Sequence, residues 1–395
     1  MAVKFTKPEI NVREKLAELD KPSGIAGEAI LRAETPQEQF NLIGAGRRNL
    51  LINGDMRVAQ RGTSETGLIT SARTGPDRFK LDLTTNQSGT HTLSQTTDAP
   101  SNFKYSWKVQ CTTAQASPNQ MRCSYPVEGY DVAHLGYGTT EAKPLTLSFW
   151  VKSSVVGTYA LSIETAIPQR YFSTNYTIDS SNVWEYKTIY IPGDTASALN
   201  GNNTLGLYFS WWLTSDSSLK VSPVADNWVT QSSYNNIVGT DTNVNMASST
   251  ANSWQITGVQ LETGKVATPF EHRPYGEELA LCQRYFEKSL ADSIAASTVT
   301  TPACTMMGVA FTSTLIRTQI EYKVSKRTTP TVTTVPANSG GTGTQWAFYN
   351  GTWNGVATSV AQSNQNSFSV DVTASGVAIT KAYLIDGNWY ADAEL

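Results

Sequence analysis

Residues 205–213 read LGLYFSWWL. Leu205, Leu207, Phe209, Trp211 and Leu213 fall on one side of an extended chain, and Tyr208, Ser210 and Trp212 on the other. A period of two is a strand's period, and a helix would scatter that apolar set around its circumference. KPLTLSFWVKSS repeats the pattern, with Leu145, Leu147, Phe149 and Val151 against Thr146, Ser148, Trp150 and Lys152. GTYALSIET adds Tyr159, Leu161 and Ile163, and DRFKLDLTT and YSWKVQCTT supply further candidates. Several such strands joined by Gly, Asn and Ser turns predict an antiparallel β-sandwich over residues 49–272. Charged residues are only 16% of the chain, which suits strands whose outer faces are polar but uncharged.

One strand breaks its own parity. In SWQITGVQLE, Trp254 and Ile256 share a face, whereas Val259 and Leu261 have the opposite parity. One extra residue near Thr257-Gly258 returns the apolar set to one side, as a β-bulge does, and glycine tolerates the backbone that this needs. The strand should leave the sheet at Glu262-Thr263-Gly264. Pro269 and Pro274 in ATPFEHRPYG forbid ladder pairing and close the domain.

Residues 273–395 read as a linker helix followed by a smaller β domain. The helix is expected from Glu277 to Lys288, with Leu279, Cys282 and Phe286 on one face and Leu281 and Tyr285 beside them. Strand-like runs follow, from TMMGVAFTS to NWYADAEL. Asn350-Gly351 and Asp386-Gly387 are tight-turn signals, and the second predicts a terminal hairpin of YLID with NWYADAEL. VAITKAYLIDGNWYA carries more apolar side chains than a small body needs, which points to a subunit interface.

Residues 1–48 differ from the rest. They hold 8 Lys/Arg and 7 Asp/Glu, against 48 charges in the other 347 residues. Asn11 and Glu14 form a capping box ahead of Leu16 and Leu19. Thr35, Pro36 and Glu38, followed by Phe40, mark a second helix start. Both helices are short enough to be marginal alone in water. The segment is therefore expected to be an anchoring arm, partly helical and partly extended, that orders by docking on a partner.

Several function classes are disfavoured. With 30 Lys/Arg and 33 Asp/Glu the net charge is −3, which gives no bulk attraction to nucleic acid or an anionic membrane. No run of about 18 apolar residues would span a bilayer as a helix, and MAVKFTKPEI lacks the apolar core of a secretory signal. Cys111, Cys123, Cys282 and Cys304 form no C-x-x-C pair. Buried free thiols are expected, although Cys111 and Cys123 could meet across a hairpin. His91, His134 and His272 show no metal spacing, and His272 reads as a hydrogen-bonding residue at a chain crossing. No cofactor or metal motif is present, and no nucleophile elbow, zincin or phosphate-loop motif points to an enzyme. Asp77, Glu128, Asp131 and Glu164 are the carboxylates open to glycoside hydrolysis, but nothing singles out a pair.

Binding leaves a different trace. Sugar rings stack their C–H faces on flat aromatics and offer hydroxyls to amides and hydroxyls. The chain has 10 Trp and 17 Tyr. Trp150, Tyr208 and Trp212, expected to point outward, are candidate glycan contacts. So are Trp228 and Tyr234, in a polar stretch too long for a turn.

NLLINGDMRVAQRG at 49–62, DRF at 77–79, LSFWVKSS at 147–154 and GVQLETGKVATPFEHRPYGEELALCQRYFEKS at 258–289 resemble a recurrent module of bacteriophage tail fibres and other virion proteins. KPSGIAGEAILRAETPQEQFNLIG resembles the front of fibre-like proteins of podoviruses that infect marine cyanobacteria, and NWYADAEL resembles phage tail proteins. The resemblance implies a jelly roll like those of carbohydrate-binding modules, and a structural protein of the virion made in the host cytoplasm. It also implies a homotrimer, an arm that docks on tail or capsid proteins, and contact with host surface glycan. It assigns no catalytic residue. The longer shafts of such proteins are missing, for there are no heptads or repeats. A short tail fibre is the expected role. A capsid-mounted appendage or decoration protein is the alternative, followed by a glycan depolymerase.

Overall fold

The computed structural model describes residues 47–84, 88–116, 120–166, 170–215, 219–221, 226–230, 238–239, 244–291, 294–298, 304–336 and 345–395. The arm candidates Asn11, Glu14, Leu16, Leu19, Thr35, Pro36, Glu38 and Phe40, and Tyr234, lie outside the described residues. Among the described residues no helix is long and apolar enough to cross a membrane.

The fold is mainly β. In chain order the first strands are β1 (Ser64–Leu68), β2 (Lys80–Leu83), β3 (Thr90–Thr96), β4 (Ser106–Thr113), β5 (Gln120–Glu128), β6 (Leu145–Ser153) and β7 (Gly157–Thr165). Then come β8 (Arg170–Ile178), β9 (Glu185–Ile191), β10 (Leu205–Ser215), β11 (Lys220–Val221), β12 (Trp228–Thr230), β13 (Val238–Gly239) and β14 (Ser253–Thr263). Two six-stranded antiparallel sheets form a jelly-roll-like sandwich, one in the order β1-β3-β4-β14-β6-β9 and the other β12-β8-β7-β10-β5-β2. The period-two sets meet between them. Leu145, Leu147, Phe149 and Val151 of the first sheet face Tyr159, Leu161, Ile163, Leu207, Phe209 and Trp211 of the second, all buried. Phe149 and Trp211 meet edge to face, centroids 5.9 Å apart.

The parity break is a bulge. Between β14 and β6 the register moves from Thr257↔Trp150 to Gln260↔Ser148, three residues against two. Gly258 sits there at φ 62°, and Trp254, Ile256, Val259 and Leu261 are all buried. The chain ahead of β1 locks onto the same strand. The Leu50 amide donates to the Leu261 carbonyl at 2.8 Å, and Asn49 Oδ1 accepts from the Leu51 and Leu261 amides. At Gly54 a side chain would collide with the Val259 carbonyl, 2.0 Å from where its Cβ would lie. The sequence NLLING is thus a plug fitted to the bulged strand.

The helix is shorter than expected. It spans Tyr275–Gln283, and Phe286–Lys288 form strand β15 instead. These residues pair with Asp392–Tyr390 at the other end of the chain, and the Arg61 guanidinium lies 3.8 Å from the Phe286 ring centroid. Tertiary pairing ends the helix early. Its Cys282, with Tyr285 just beyond, packs on Ile52 of the plug and on Val58 four residues past it.

Strands β16 (Cys304–Thr312), β17 (Leu315–Glu321), β18 (Thr331–Val335), β19 (Trp346–Tyr349), β20 (Trp353–Val356), β21 (Thr358–Ser363), β22 (Ser367–Thr373) and β23 (Ala382–Asp392) complete a nine-stranded sheet. Asn350-Gly351 turns between β19 and β20, with Gly351 at φ 95°. The hairpin expected at Asp386-Gly387 is absent, because β23 runs straight through it. Its first half pairs with β16 and β19, and its second with β15 and β18. Gly387 serves close approach rather than turning. The Trp346 ring crosses it, 2.2 Å from where a Cβ would stand, and Trp346 Nε1 donates to the Asn388 carbonyl at 3.1 Å.

This sheet is tied to the sandwich by buried charge. Glu394 pairs with Arg78 and lies near Arg61 and Arg73. Glu128 accepts from Arg284 at 2.6 Å and from the Tyr285 hydroxyl at 2.6 Å.

Candidate functional site

The outer face of the first sheet carries a cleft of about 820 Å³. It is lined by Ser101, Asn102, Phe103, Ser148, Trp150, Tyr186, Gly258, Pro269, Phe270 and His272. Its floor follows from the strand register. Trp150 on β6 stands opposite Tyr186 on the edge strand β9, with ring centroids 5.3 Å apart and planes tilted by 50°. On its other side Trp150 is level with Thr257, where the bulge begins.

The wall comes from two loops. Phe103 follows a turn in which Asn102 takes φ 77° and the Phe103 amide donates to the Pro100 carbonyl at 3.1 Å. Phe270 and His272 come from the segment after β14. The Phe103–Phe270 centroids are 5.1 Å apart, Phe103–His272 5.4 Å and Phe270–His272 4.9 Å. Gly258 lets the wall meet the floor, for a Cβ there would lie 2.7 Å from Phe103 and 3.1 Å from Trp150.

The loop behind the wall is pinned. Glu262 accepts from the Thr268 amide at 2.8 Å and its hydroxyl at 2.6 Å. The Glu271 amide donates to Gln260 Oε1 at 2.8 Å, and the Glu271 carboxylate accepts from the Asn49 amide at 2.5 Å. Beside the floor Asp98 accepts from Lys152, Gln255 and Trp184. These bonds hold its carboxyl below the usual range despite some desolvation, which alone would raise it. Among the described residues, rings, two serines, an asparagine, Gly258 and Pro269 line the cleft, with no carboxylate and no lysine or arginine. Such a surface suits an uncharged ligand with flat apolar faces and hydroxyls at its edges.

Of the residues singled out from sequence, the cleft gathers Trp150 and His272. The His272 ring packs with Phe103 and Phe270. Tyr208 and Trp212 do point away from the sandwich core, but neither stands free. The Tyr208 hydroxyl donates to Asp82 at 2.6 Å, and Arg122 lies 5.3 Å from its ring. Trp212 is buried with Ala160, Tyr171, Leu219 and Val238, and its Nε1 donates to Ser162 at 2.8 Å. Trp228 is a core residue, packed on Phe172 and Tyr137 with Nε1 donating to the Pro192 carbonyl at 2.7 Å. Both indoles were expected to be open, and both are covered. Tyr186 was missed although EYKTIYI places Tyr186 and Tyr190 on one face of a strand, both exposed. Phe103 and Phe270 lie in loops, where no periodicity announces them.

The carboxylates considered for hydrolysis are each engaged elsewhere. Asp77 accepts from Gln60, Glu128 from Arg284 and Tyr285, and Glu164 from Arg122; Asp131 lies 3.6 Å from Arg47. All four cysteines are free thiols.

The fold is thus of the mainly β, antiparallel sandwich class. No protein-family model and no curated protein matches the sequence. Among solved structures, the chain is similar to the enzymatically active domain of tailspike protein 4 of bacteriophage CBA120. The identity is 11% and the TM-score 0.29, over 55% of this chain and 21% of that one. A family 4 carbohydrate-binding module matches at 8% identity and TM-score 0.28, over 54% of this chain and 98% of that one. A family 11 carbohydrate-binding module from Clostridium thermocellum, in complex with a β-1,3-1,4-mixed-linked tetrasaccharide, matches at 10% and 0.25, over 53% and 99%. These are faint likenesses, and the chain spans only about a fifth of the tailspike's length.

Proposed function

We propose that the chain is a structural protein of a phage virion, a short tail fibre, and that the cleft on the first sheet contacts glycan on the host surface. One observation carries the reading. The segment 258–289, whose GVQLE and ATPFEHR strings carry the sequence resemblance to virion proteins, also supplies Gly258, Pro269, Phe270 and His272 to the cleft. A pyranose ring laid on Trp150 or Tyr186 would bury its C–H face, while Ser101, Asn102 and Ser148 would meet its hydroxyls. Contacts of this kind are individually weak, and several copies on one particle would add them by avidity. Residues 1–48 would dock the chain on tail or capsid proteins.

The test is titration of the full chain with neutral oligosaccharides from the host envelope, followed by tryptophan fluorescence. Binding that falls at least tenfold in both Trp150→Ala and Phe270→Ala is expected. Unchanged binding in both variants removes the cleft from the reading, and absence of binding by the unaltered chain to any envelope glycan removes the adhesin role.

A further inference from the structure

The row of rings does not end at the cleft. Along β9 the register sets Tyr186 opposite Trp150, Thr188 opposite Ser148 and Tyr190 opposite Thr146. Ile189 and Ile191 are buried in the sandwich, so Tyr186, Thr188 and Tyr190 share the outer face. All three are exposed, Tyr186 by 44% and Tyr190 by 47%. Four residues of strand carry Tyr190 ~13 Å beyond Tyr186. Among the described residues β9 is the edge strand of its sheet and pairs with β6 alone, so it borders the cleft on the side away from the wall of Phe103 and Phe270.

The row is closed at one end and open at the other. Two residues before Tyr186, the Trp184 indole N–H donates to Asp98 at 3.3 Å, and the Lys152 ammonium lies 5.2 Å from its ring centroid. Lys152 is itself paired with Asp98. That ring is already engaged, and an ion pair closes this end. In the other direction Thr188 and Tyr190, with Ser148 and Thr146 across from them, carry no charge.

We infer that the cleft is one end of a track for a linear, uncharged polysaccharide, and that Tyr190 is its second stacking platform. The inference rests on the cleft taking glycan. A single pyranose ring on Trp150 or Tyr186 does not reach Tyr190, whereas a chain of several rings bridges the two platforms. The order ring, hydroxyl, ring along Tyr186, Thr188 and Tyr190 matches a polymer that alternates C–H faces with hydroxyl edges. A continuous apolar partner would instead strip water from the Thr188 hydroxyl without replacing its hydrogen bond. Once the cleft holds one end of the chain, contact with Tyr190 is intramolecular, so affinity climbs with chain length until Tyr190 is covered.

The test is calorimetric titration of the full chain with a size-fractionated ladder of neutral oligosaccharides, disaccharide to octasaccharide, cut from the host envelope polysaccharide. Affinity should rise at least tenfold from disaccharide to hexasaccharide and level off beyond. Tyr190→Ala should abolish that rise and leave disaccharide affinity unchanged, which also shows that the variant is folded. Tyr190→Phe should keep the rise, since the ring and not its hydroxyl is the platform. Trp150→Ala should weaken every member of the ladder. Equal affinity along the ladder, or a rise that survives Tyr190→Ala, overturns the track and leaves the cleft as a site for a short sugar. A ladder that does not bind at all overturns the track and the glycan reading together.

Discussion

Arg78 and Glu394 meet across 316 residues of sequence, and both side chains are almost wholly buried. The penultimate residue of the chain is thus paired with an arginine of the sandwich. The Arg78 guanidinium lies 3.4 Å from the Tyr285 ring centroid, and Arg61 and Arg73 stand 3.5 Å and 3.6 Å from the same carboxylate. Burial alone would raise the Glu394 carboxyl, but these arginines hold it below its ordinary value.

Removing one partner of a buried pair leaves the other charge uncompensated, which costs roughly 3–5 kcal/mol. Glu394→Ala should therefore lower unfolding free energy by that order in urea titration. Because the folded carboxyl titrates below its unfolded value, the stabilisation is complete above about 4.5 and is lost as pH falls through the lower folded value. Glu394→Ala should accordingly lie well below wild type at pH 7 and approach it in acid. A variant as stable as wild type at pH 7 would show that the tail does not hold the two bodies together.

A second titration lies in a different window. His91 on β3 is fully buried, neither ring nitrogen has a hydrogen-bond partner among the described residues, and burial pushes its pKa down to about 4. The fold holds the neutral ring, so its contribution is whole above the unfolded value of 6.5 and is lost as pH falls from there towards 4. That difference amounts to about 3 kcal/mol. Several buried carboxylates titrate with the opposite sign, so the measurement is the gap between wild type and His91→Leu. The gap should move in favour of the variant by that amount between pH 7 and 4, and a gap independent of pH would count against a neutral buried ring.

The sandwich was legible because a half-buried strand writes its burial into alternate residues. Leu145 to Val151 and Leu207 to Leu213 needed no further information, and the parity break at Thr257-Gly258 even located the bulge. Two elements at the C-terminal end were not legible. Asp386-Gly387 has turn chemistry, yet Gly387 makes room for Trp346, a contact set by tertiary packing. Phe286 continues a helical pattern, yet pairs with Asp392 from the chain's far end. The cleft was half legible. Alternation tells which way Trp212 points but not that Leu219 and Val238 cover it. Phe103 and Phe270 meet only because the finished fold brings two loops over one glycine.

Trp150 and Trp212 should therefore separate stability from binding. Trp212 is buried and its indole N–H is hydrogen-bonded within the protein, so Trp212→Ala should cost about 3–5 kcal/mol in unfolding free energy and leave cleft affinity unaltered at temperatures where the variant is folded. Trp150 is only half-buried on the outer face, so Trp150→Ala should cost much less stability and take most of the binding. The reverse pattern, with sugar affinity tracking Trp212, would move the site to the other sheet.

Gly258 is where fold and cleft depend on one atom. At φ 62° a side chain is strained by about 1 kcal/mol. The Cβ of Gly258→Ala would also press on Phe103 at 2.7 Å, so Phe103 must swing away from Phe270 or the bulge must flatten. A flattened bulge would reverse the parity of Val259 and Leu261, which are buried, so the ring should move first. Gly258→Ala should then unfold at about 1–2 kcal/mol lower free energy while losing glycan affinity at least tenfold. Restoring space with Gly258→Ala/Phe103→Leu should recover part of the stability and none of the affinity. A single variant that binds as wild type does would mean that the wall of rings is not what the ligand touches.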